Sequence, residues 1–491
     1  MARLKLCASI MPRREADLPQ LAAGCRSADL VELRLDYLPF FPLQQLRSTF
    51  RQPLILTWRS PQQGGFCSID LRQRIILFRK ALQTGMDYLD VEWEQADLIL
   101  PQLPAGARSH LILSCHTEVT DPARLQGMLE QMLQVPAAVY KLVFTAAHLN
   151  HSILALQLLK SFREQRKPLV IHAMGEAGMP SRLLGALQGN FWTYVSVEVK
   201  SETAAGQFTL QQLRDVYRLP QKNSRTRLFG LLGYPLNQSR GWQLHNRLLN
   251  RFCEPDFGLY FNLPGKNLPE IWPVWAERMD GFSITMPHKA WITAMLQRLS
   301  PAVARSGVCN TVVKHNQHWY GFNTDFMALY RILAPHREQL ADGVLVYGTG
   351  ATAVSAISAL QQMGIKQIKV SGRNRETGQR LAQRFGISYL MPGEAPAVPP
   401  GGFIQATPVG MAPAVEAVPA IAAFLQPGCL VLDCIYNPPE TALLKKAAER
   451  GCRTISGVEM FLQQAVYQFR LFTGLEIPPE AVREVWQEIR P

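Results

Sequence analysis

Eight short apolar runs recur at intervals of roughly 20 to 30 residues between positions 4 and 200, and they limit the fold of this chain most strongly. Helix-like segments such as SILALQLLKSFREQ, at 152–165, separate the runs. Strands that alternate with helices eight times are the pattern of a (β/α)8 barrel. A doubly wound sheet is the alternative, but it would more often carry a glycine-rich phosphate loop, which this half lacks. The runs read LKLCASI, DLVELRLD, PLILTWRS, MDYLDVEW, HLILSCHT, AVYKLVFT, PLVIHAMG and WTYVSVEV.

Polar residues lie within these runs or at their C-terminal ends. Barrel enzymes place their chemistry at that end of the strands, so the polar residues indicate an active site there. A structural ion pair, a helix cap and a hydrogen-bonded core histidine are the alternatives, and the residues alone leave them open. The candidates are Glu32 and Arg34 on the second run, Arg59 on the third, His116 on the fifth and Lys141 on the sixth.

Lys141 is the one charged residue in the segment AAVYKLVFTA, at 137–146. A buried ammonium without a partner is costly, and burial favours its loss of charge. An uncharged lysine can attack a carbonyl carbon as an amine nucleophile. The alternative is a lysine that extends from an edge strand to water.

Composition narrows the class of protein. A chain of 491 residues is too long for one ordinary core and predicts two or three domains, and 47% apolar with 18% charged residues is typical of a globular protein. We expect no membrane span and no signal peptide. The nine cysteines are scattered without a CxxC pair, which favours reduced thiols in the cytoplasm and no metal site. The net charge of +13 is spread along the chain, so we expect small anionic substrates rather than nucleic acid.

The second half contains a dinucleotide-binding pattern. The segment GVLVYGTGATAVSAISALQQMG, at 343–364, reads as a strand, the motif Gly348-x-Gly350-x-x-Ala353, and a helix of small residues. Such glycines let the backbone approach a pyrophosphate, which then meets the helix N-terminus. A tight strand-to-helix turn without a ligand is the alternative.

The residues after the next strand indicate which cofactor binds. An enzyme that uses NAD usually has an acidic residue there for the ribose hydroxyl. This chain has Arg373 and Arg375 instead, and no acidic residue before Glu376. Arginines suit a 2′-phosphate, so the sequence predicts NADP, with an ordinary solvated turn as the alternative.

The segments SCHTEVTDP, YKLVFTA, GMPSRLLGALQGN and SETAAGQFTLQQL follow one another in the first half. With them, residues 4–218 resemble type I 3-dehydroquinate dehydratases. The resemblance implies that Lys141 forms a Schiff base with the C3 ketone of 3-dehydroquinate, while His116 removes the C2 proton and helps to expel the C1 hydroxyl. It implies that Arg182 binds the substrate carboxylate. The other substrate contacts that it implies are Glu32, Arg34, Arg59, Thr203 and Gln207.

Two residues of the first half depart from the pattern of that family. Thr203 stands where a serine is common, and the hydroxyl is kept. Gln63 stands where a glutamate is common, and a charge is lost. We expect the second change to affect substrate affinity rather than the chemistry.

The segments GYPLNQS, ITMPHK, VCNT, FNTD, GTGATA, SGRNR, QATPVGM and GVEMFLQQA follow in the second half. With them, residues 226–491 resemble shikimate dehydrogenases. The resemblance implies that Lys289 and Asp325 pass a proton to or from the substrate oxygen while hydride moves between C3 and the nicotinamide. Without the flanking motifs, the pair reads as a salt bridge. The implied substrate contacts are Ser239, Thr285, Asn310, Tyr436 and Gln464, and the implied cofactor contacts are Gly348, Thr349, Gly350, Ala351, Thr352, Ala353, Arg373, Asn374, Arg375 and Thr407.

Two departures in the second half concern its substrate. Gly241 stands where a serine commonly binds the carboxylate, and Ser283 stands where an asparagine is common. The glycine leaves space that the extra hydroxyl of quinate would need. Quinate is therefore an alternative substrate for this half.

Together, the two halves predict a bifunctional enzyme of consecutive steps. The polar stretch YRLPQKNSRTRLFG places a linker near residue 222. We expect a barrel at 1–221, a substrate-binding domain at 226–336 with C-terminal helices at about 457–491, and a Rossmann domain for NADP at 337–456. A quinate dehydrogenase in the second half and a basic binding protein on enzyme folds are the rival functions. The sequence makes no prediction about oligomeric state.

Overall fold

The computed structural model describes residues 4–38, 41–197, 204–397 and 399–490. The chain forms two compact units, Met1–Arg227 with Cys253–Gly265, and Leu228–Phe252 with Lys266–Pro491. All nine cysteines lie among the described residues, and each is a free thiol. No helix in these ranges has the length and apolar character that crossing a membrane requires.

The first unit is built on a sheet with the strand order β7-β6-β5-β4-β3-β2-β1-β8-β9, in which neighbouring strands are parallel. In the described residues its strands are β1 (Lys5–Ile10), β2 (Leu30–Arg34), β3 (Leu54–Thr57), β4 (Tyr88–Glu92), β5 (Leu111–Thr117), β6 (Val139–Thr145), β7 (Leu169–Met174), β8 (Trp192–Ser196) and β9 (Phe208–Thr209). The α-helices between them are α1 (Leu18–Gly24), α2 (Leu43–Thr49), α3 (Leu71–Gln83), α4 (Ala96–Ile99), α5 (Pro122–Met132), α6 (Asn150–Ser161) and α7 (Met179–Gln188).

The ring of strands closes between β7 and β8 through a few specific hydrogen bonds. The Phe191 N–H donates to the Leu169 carbonyl at 2.8 Å. The Asn190 side chain accepts from the Ile171 N–H at 2.8 Å and donates to the Ile171 carbonyl at 3.0 Å. Because β1 also pairs with β8, the first unit is the (β/α)8 barrel that the eight apolar runs predict.

The inward side chains of the barrel form an apolar layer and then a polar layer. Val139, Ile112 and Val170 belong to one buried apolar cluster inside the barrel. Side chains two residues apart on a strand share a face, so Lys141 follows Val139 inward. On β7, His172 follows Val170 inward in the same way. The polar layer is therefore the C-terminal end of the interior, where barrels carry their active sites.

A six-stranded mixed sheet follows, with the order β11-β10-β12-β14-β15-β13. Its strands are β10 (Arg227–Gly233), β11 (Gly258–Pro264), β12 (Gly281–Ile284), β13 (Arg298–Leu299), β14 (Thr311–His315) and β15 (His318–Phe322). Strand β14 is antiparallel to both β12 and β15. The helices of this region are α8 (Gly241–Phe252), α9 (Leu268–Trp275), α10 (Pro301–Ser306), α11 (Thr324–Leu333) and α12 (Arg337–Leu340).

The third sheet has the doubly wound order β18-β17-β16-β19-β20-β21, with neighbouring strands parallel. Its strands are β16 (Val344–Tyr347), β17 (Ile368–Ser371), β18 (Ser388–Leu390), β19 (Gly402–Gln405), β20 (Leu430–Asp433) and β21 (Arg453–Ile455), and its helices are α13 (Ala351–Gln362), α14 (Arg375–Phe385) and α15 (Ala442–Glu449). This is the Rossmann order, and its ligand crevice lies where the order reverses, between β16 and β19.

The two C-terminal helices, α16 (Gly457–Thr473) and α17 (Pro479–Ile489), return to the mixed sheet. Helix α16 packs on α11, and α17 packs on α8. The buried Gln468 of α16 accepts a hydrogen bond from Ser283 Oγ at 2.9 Å and donates to Thr311 Oγ1 at 2.9 Å. Ser283, one of the unusual residues of the second half, is thus hydrogen-bonded to the C-terminal helix.

Candidate active sites

Lys141 lies on β6, between β5 and β7, and its side chain is only 6% exposed. Its Nζ is 3.3 Å from Glu32 Oε1 and 3.2 Å from Asp90 Oδ2, and it lies 4.2 Å from the centroid of the Tyr194 ring. The alternative of a lysine that reaches water from an edge strand is wrong. Two carboxylates and an aromatic face compensate the buried ammonium, which is the condition for keeping such a charge inside a protein.

Arg59 forms ion pairs with two buried acidic residues, Asp90 and Glu92. Its Nη2 is 2.8 Å from Asp90 Oδ1, and its Nη1 is 3.3 Å from Glu92 Oε1 and 3.0 Å from Ser114 Oγ. Burial acts to raise the pKa of Asp90, but the positive charges of Arg59 and Lys141 hold that pKa well below its usual range. Asp90 therefore stays ionised. The helix-cap alternative for Arg59 is wrong, because its guanidinium is buried among these acids.

Asp90 and Glu92 belong to the site, and the sequence reasoning missed them. They occupy alternate positions of β4, in the run MDYLDVEW. The available signal was that the two acidic residues lie two positions apart in an otherwise apolar strand, because such residues share one face of the strand. Their hydrogen bonds to Arg59 and Lys141 complete the buried charge cluster.

Glu32 and Arg34 do not pair with each other, so the structural ion pair considered from the sequence is wrong. Arg34 donates to both oxygens of Asp36, with distances of 2.8 and 2.7 Å. Glu32 instead accepts hydrogen bonds from Ser9 Oγ and, at 3.0 Å, from Thr57 Oγ1, and it pairs with Lys141. Its carboxylate is held in place beside the lysine amine.

His116 lies near the end of β5, and its side chain contacts Gln63. The Gln63 Oε1 atom accepts from the His116 backbone N–H at 3.1 Å and lies 3.2 Å from His116 Nδ1. The Gln63 Nε2 atom donates to Glu94 Oε2 at 2.7 Å. Backbone N–H groups can only donate, so the amide oxygen faces His116, whose Nδ1 must then carry the proton. This leaves Nε2 of the ring as the basic nitrogen.

The protonation state of His116 suits that role. Burial, followed by the positive charges of Arg59 and Lys141, lowers the pKa of His116 well below its usual value. The ring is therefore neutral near pH 7. A neutral imidazole with a free Nε2 is able to remove a proton from a bound ligand.

Seven of the residues singled out in the first half line one cavity. Arg182, on α7, is buried there; burial lowers its pKa to about 10, so it remains a cation near pH 7. Thr203 lies outside the described residues. His172 and Tyr194 also line the cavity and were missed; a histidine inside the apolar run PLVIHAMG was the signal for the first. The seven are Glu32, Arg34, Arg59, His116, Lys141, Arg182 and Gln207.

In the second unit, Lys289 and Asp325 form a close ion pair. The Lys289 Nζ atom is 2.6 Å from Asp325 Oδ2, and the two side chains are 17% and 8% exposed. Asp325 is in the first turn of α11, whose N-terminus is capped by Asn323, because the Asn323 Oδ1 atom accepts from the Phe326 N–H at 2.8 Å. The cap fixes the position of the aspartate.

Hydrogen bonds join Asn310 and Gln464 to the same helix. The Asn310 Oδ1 atom accepts from the Thr324 N–H at 2.7 Å, and Thr324 Oγ1 lies 3.4 Å from Gln464 Oε1. Thr324 precedes the catalytic candidate Asp325.

Burial acts to raise the pKa of Tyr436, and its hydrogen bond to Ser239 acts to lower that pKa, with the net change upward. Ser239 and Tyr436 thus form a second hydrogen-bonded set.

A cleft of about 840 Å³ lies at the crevice between β16 and β19, and Thr285 and Lys289 line it together with the glycine loop. Gly348 has a φ of +133°, and a Cβ there would come within 2.6 Å of the Ala406 carbonyl oxygen. A Cβ at Gly350 would meet nothing within 4 Å, so the loop leaves open space before the N-terminus of α13. The loop and helix therefore fit a pyrophosphate. The predicted residues Thr349, Ala351, Thr352 and Thr407 also line the cleft, whereas Ala353 is buried inside α13.

The residues after β17 fit the ribose 2′-phosphate of a 2′-phosphorylated dinucleotide. Arg373 and Asn374 line the cleft, and Asn374 also caps α14. Arg375 is exposed one residue further on and is not among the residues that line the cleft. In the described ranges, no group of three or more His, Cys, Asp or Glu side chains is placed to hold a metal ion.

Three family models match the chain. The model of type I 3-dehydroquinase covers residues 6–224. The shikimate dehydrogenase substrate binding domain covers residues 231–312, and the shikimate 5′-dehydrogenase C-terminal domain covers residues 457–485. The boundary between the first two matches falls next to the polar stretch at 217–230.

Individual relatives agree with these matches. A chloroplastic protein of Arabidopsis thaliana named bifunctional 3-dehydroquinate dehydratase/shikimate dehydrogenase is 29% identical over 92% of this chain and 79% of its own length. A shikimate dehydrogenase (NADP(+)) of Desulforamulus reducens is 31% identical over 54% of this chain and 95% of its own length.

A solved structure also matches the second half. It is a shikimate dehydrogenase in complex with NADP+, with a TM-score of 0.50 and 26% identity, and the match covers 55% of this chain and 98% of that one. From residue 6 to 224 the chain therefore belongs to the type I 3-dehydroquinase family, and from residue 231 onward it belongs to the shikimate dehydrogenase family.

Proposed function

We propose that the chain catalyses two consecutive reactions of the shikimate pathway. The barrel dehydrates 3-dehydroquinate to 3-dehydroshikimate, and the second half reduces that product to shikimate with NADPH. One observation carries the proposal: Lys141, His116 and Arg182 meet in one buried cavity of the barrel. The proposal includes the division into a barrel at 1–221, a substrate-binding domain at 226–336 with helices at about 457–491, and a nucleotide domain at 337–456.

The first reaction begins at Lys141. Its ammonium gives up one proton, and the resulting amine attacks the C3 carbonyl carbon of 3-dehydroquinate. A proton returns to the departing hydroxyl, so that loss of one water leaves an iminium linked to Nζ. An iminium accepts electrons better than a ketone does, so it acidifies the C2–H bond. The carboxylates of Glu32 and Asp90, within 3.3 Å of Nζ, accept hydrogen bonds from the amine and keep it directed into the cavity.

His116 moves the proton in this reaction. Its Nε2 atom removes the C2 proton, and the electron pair passes into the iminium to form an enamine. The C1–O bond then breaks as the electrons return, and the same proton leaves with the hydroxyl as water. Gln63 supports this assignment, because its amide oxygen keeps the proton of the neutral ring on Nδ1. Hydrolysis of the remaining iminium releases 3-dehydroshikimate and restores Lys141.

The other cavity residues bind and orient the substrate. Arg182 supplies a buried guanidinium for the carboxylate, which suits a bidentate contact. Glu32, Arg34, Arg59 and Gln207 face the ring hydroxyls. Thr203 is proposed for the same task from the family pattern alone.

The second reaction uses Lys289 and Asp325. When bound, NADPH supplies the hydride that reduces the C3 ketone. Lys289 Nζ holds the proton that the new C3 oxygen takes up, and Asp325, 2.6 Å away, stabilises the ammonium. Asn310, Thr285, Gln464, Ser239 and Tyr436 orient the substrate.

We propose small-molecule substrates as the ligands of both sites and the cytoplasm as the location. The free state of all nine cysteines supports a reducing compartment. The matched relatives with shikimate dehydrogenase names favour shikimate over quinate, and quinate serves as the competing substrate in assays of the second half.

Separate substitutions in the two halves test the proposed function. We expect Lys141→Ala to lower the dehydration rate by about 10⁴-fold or more and to leave shikimate oxidation by NADP+ unchanged. We expect Lys289→Ala to lower shikimate oxidation by about 10²- to 10⁴-fold and to leave dehydration unchanged. Steady-state assays of both reactions on each purified variant make the comparison, and each unaffected activity is the folding control for its own protein. A Lys141→Ala variant that dehydrates at the wild-type rate would contradict the proposal.

The pH dependence of dehydration depends on the neutral Gln63 amide beside His116. In Gln63→Glu/Glu94→Gln, a carboxylate would accept the Nδ1–H bond and stabilise the imidazolium, so the pKa of His116 would rise. The base form is present above that pKa, so we expect the low-pH limb of kcat/KM to move upward by about one to three pH units.

Glu94→Gln alone is the matched control for that double variant, because it removes the outer charge and keeps an acceptor for Gln63. We expect its low-pH limb to lie close to that of the wild type. A double variant whose limb stays at the wild-type pH would show that Gln63 does not contact the catalytic base.

Cofactor choice is tested at the two arginines that follow β17. We expect Arg373→Ala to raise KM for NADPH by about 10- to 100-fold, because a charge-assisted contact to the 2′-phosphate is lost. KM for NADH should change by less than about threefold, because NADH lacks that phosphate. Arg375→Ala is the control, since Arg375 does not line the cleft. Equal effects of Arg373→Ala on both cofactors would argue against a 2′-phosphate contact.

A further inference from the structure

His172 is a buried polar residue in the barrel cavity that the mechanism above does not use. It lies on β7, is 1% exposed, and lines the cavity together with Lys141 and Arg182. Its strand neighbours on the same face are Val170, which belongs to the apolar layer, and Met174, which also lines the cavity. Position 172 is therefore at the level of the reacting groups.

The Asn190 amide determines which ring nitrogen of His172 carries a proton. Its Oδ1 accepts from the Ile171 N–H at 2.8 Å and its Nδ2 donates to the Ile171 carbonyl at 3.0 Å, so the amide has one orientation. Nδ2 lies 3.5 Å from His172 Nδ1. An amide nitrogen only donates, so Nδ1 is the acceptor of the ring. In a neutral imidazole the proton is then on Nε2.

The ring is neutral in this environment. Burial, followed by the positive charges of Arg182 and Lys141, lowers the pKa of His172 well below its usual value. An additional positive charge beside Arg182 and Lys141 is thereby avoided. His172 presents one N–H donor, at Nε2, and no charge.

The Nε2 atom of His172 is buried and has no hydrogen-bond partner among the described residues. The same is true of Nε of Arg182, which lines the same cavity. Buried donors in native proteins are nearly always paired, so an orphaned donor that lines a ligand cavity indicates an acceptor on the ligand. Two such donors in one cavity favour a ligand rich in oxygen atoms.

We propose that His172 is a further substrate-binding residue, whose Nε2–H donates a hydrogen bond to an oxygen of the bound polyhydroxylated keto acid. The inference rests on the proposed function of the barrel. The imidazole contributes no proton to the reaction and fixes the ring of the substrate relative to Lys141 and Arg182. A ligand that lacks this oxygen leaves the donor unpaired again and binds more weakly.

Three substitutions of His172 test the hydrogen bond. Met has a similar volume and no donor; Gln can place an N–H near the position of Nε2; Asn can place one only near Nδ1. We expect His172→Met and His172→Asn to raise KM for 3-dehydroquinate by about 5- to 30-fold, with a smaller effect on kcat. We expect His172→Gln to recover most of the loss. Shikimate oxidation by each variant, measured on the same sample, reports the amount of folded chain.

A second measurement uses the wild-type protein and needs no variant. Nitrogen-15 NMR of histidine-labelled protein distinguishes the two neutral tautomers by the shifts of the ring nitrogens. We expect His172 to show the Nε2–H form and its Nε2–H resonance to shift when 3-dehydroshikimate is added. The Nδ1–H form, or an Nε2–H resonance that does not respond to a ligand that binds, would overturn the proposal.

The outcomes separate this inference from the proposed function. If the wild type dehydrates 3-dehydroquinate and His172→Met keeps a kcat/KM within twofold of the wild-type value, the role of His172 alone is overturned. No dehydration by the wild type would overturn the proposed function and this inference with it. A higher KM in His172→Met and His172→Asn, with recovery in His172→Gln, supports a donor at Nε2. A purely structural role of the side chain would not follow the position of the N–H group.

Discussion

The barrel site depends on how a buried ammonium is kept inside an apolar fold. Lys141 is compensated by Glu32 and Asp90, and Asp90 is in turn held ionised by Arg59. Removing one partner from such a cluster leaves an uncompensated buried charge, which is strongly destabilising. The cluster also sets the conditions for chemistry in the cavity, because it directs the Lys141 amine inward and places positive charge near His116. Burial, together with the positive charges of Arg59 and Lys141, keeps the imidazole of His116 neutral.

In the proposed function, the second half has to bring a proton carrier to a cofactor. Asp325 is buried, whereas Lys289 is partly exposed and lines the cleft that the glycine loop of the Rossmann sheet also lines. The crevice arises where the strand order reverses, so its position follows from topology. Gly348 and Gly350 then decide how closely a phosphate approaches the backbone. In the proposed mechanism, the two halves thus use a lysine in two ways, as a nucleophile in a closed interior and as a proton carrier in an open cleft.

Much of the fold follows from patterns that are local in the chain. Eight apolar runs with intervening helices predict the barrel, and strand, glycine loop and helix predict the nucleotide domain. Asp90, Glu92 and His172 were missed because their runs read as apolar strands, and only the closed barrel shows which of their alternate residues face its interior. The role of Gln63 also depends on tertiary contacts. In sequence it is a lost charge, whereas in space its amide oxygen faces His116.

The central claim is that the Lys141 amine is the nucleophile of the barrel. The most direct test is to incubate the protein with 3-dehydroquinate, add borohydride, and measure the mass of the intact chain. Borohydride reduces an iminium to a stable amine, so the account predicts a ligand-sized mass gain on the wild type and none on Lys141→Ala. The same gain on both proteins, or no gain on a wild type that still dehydrates the substrate, would contradict it.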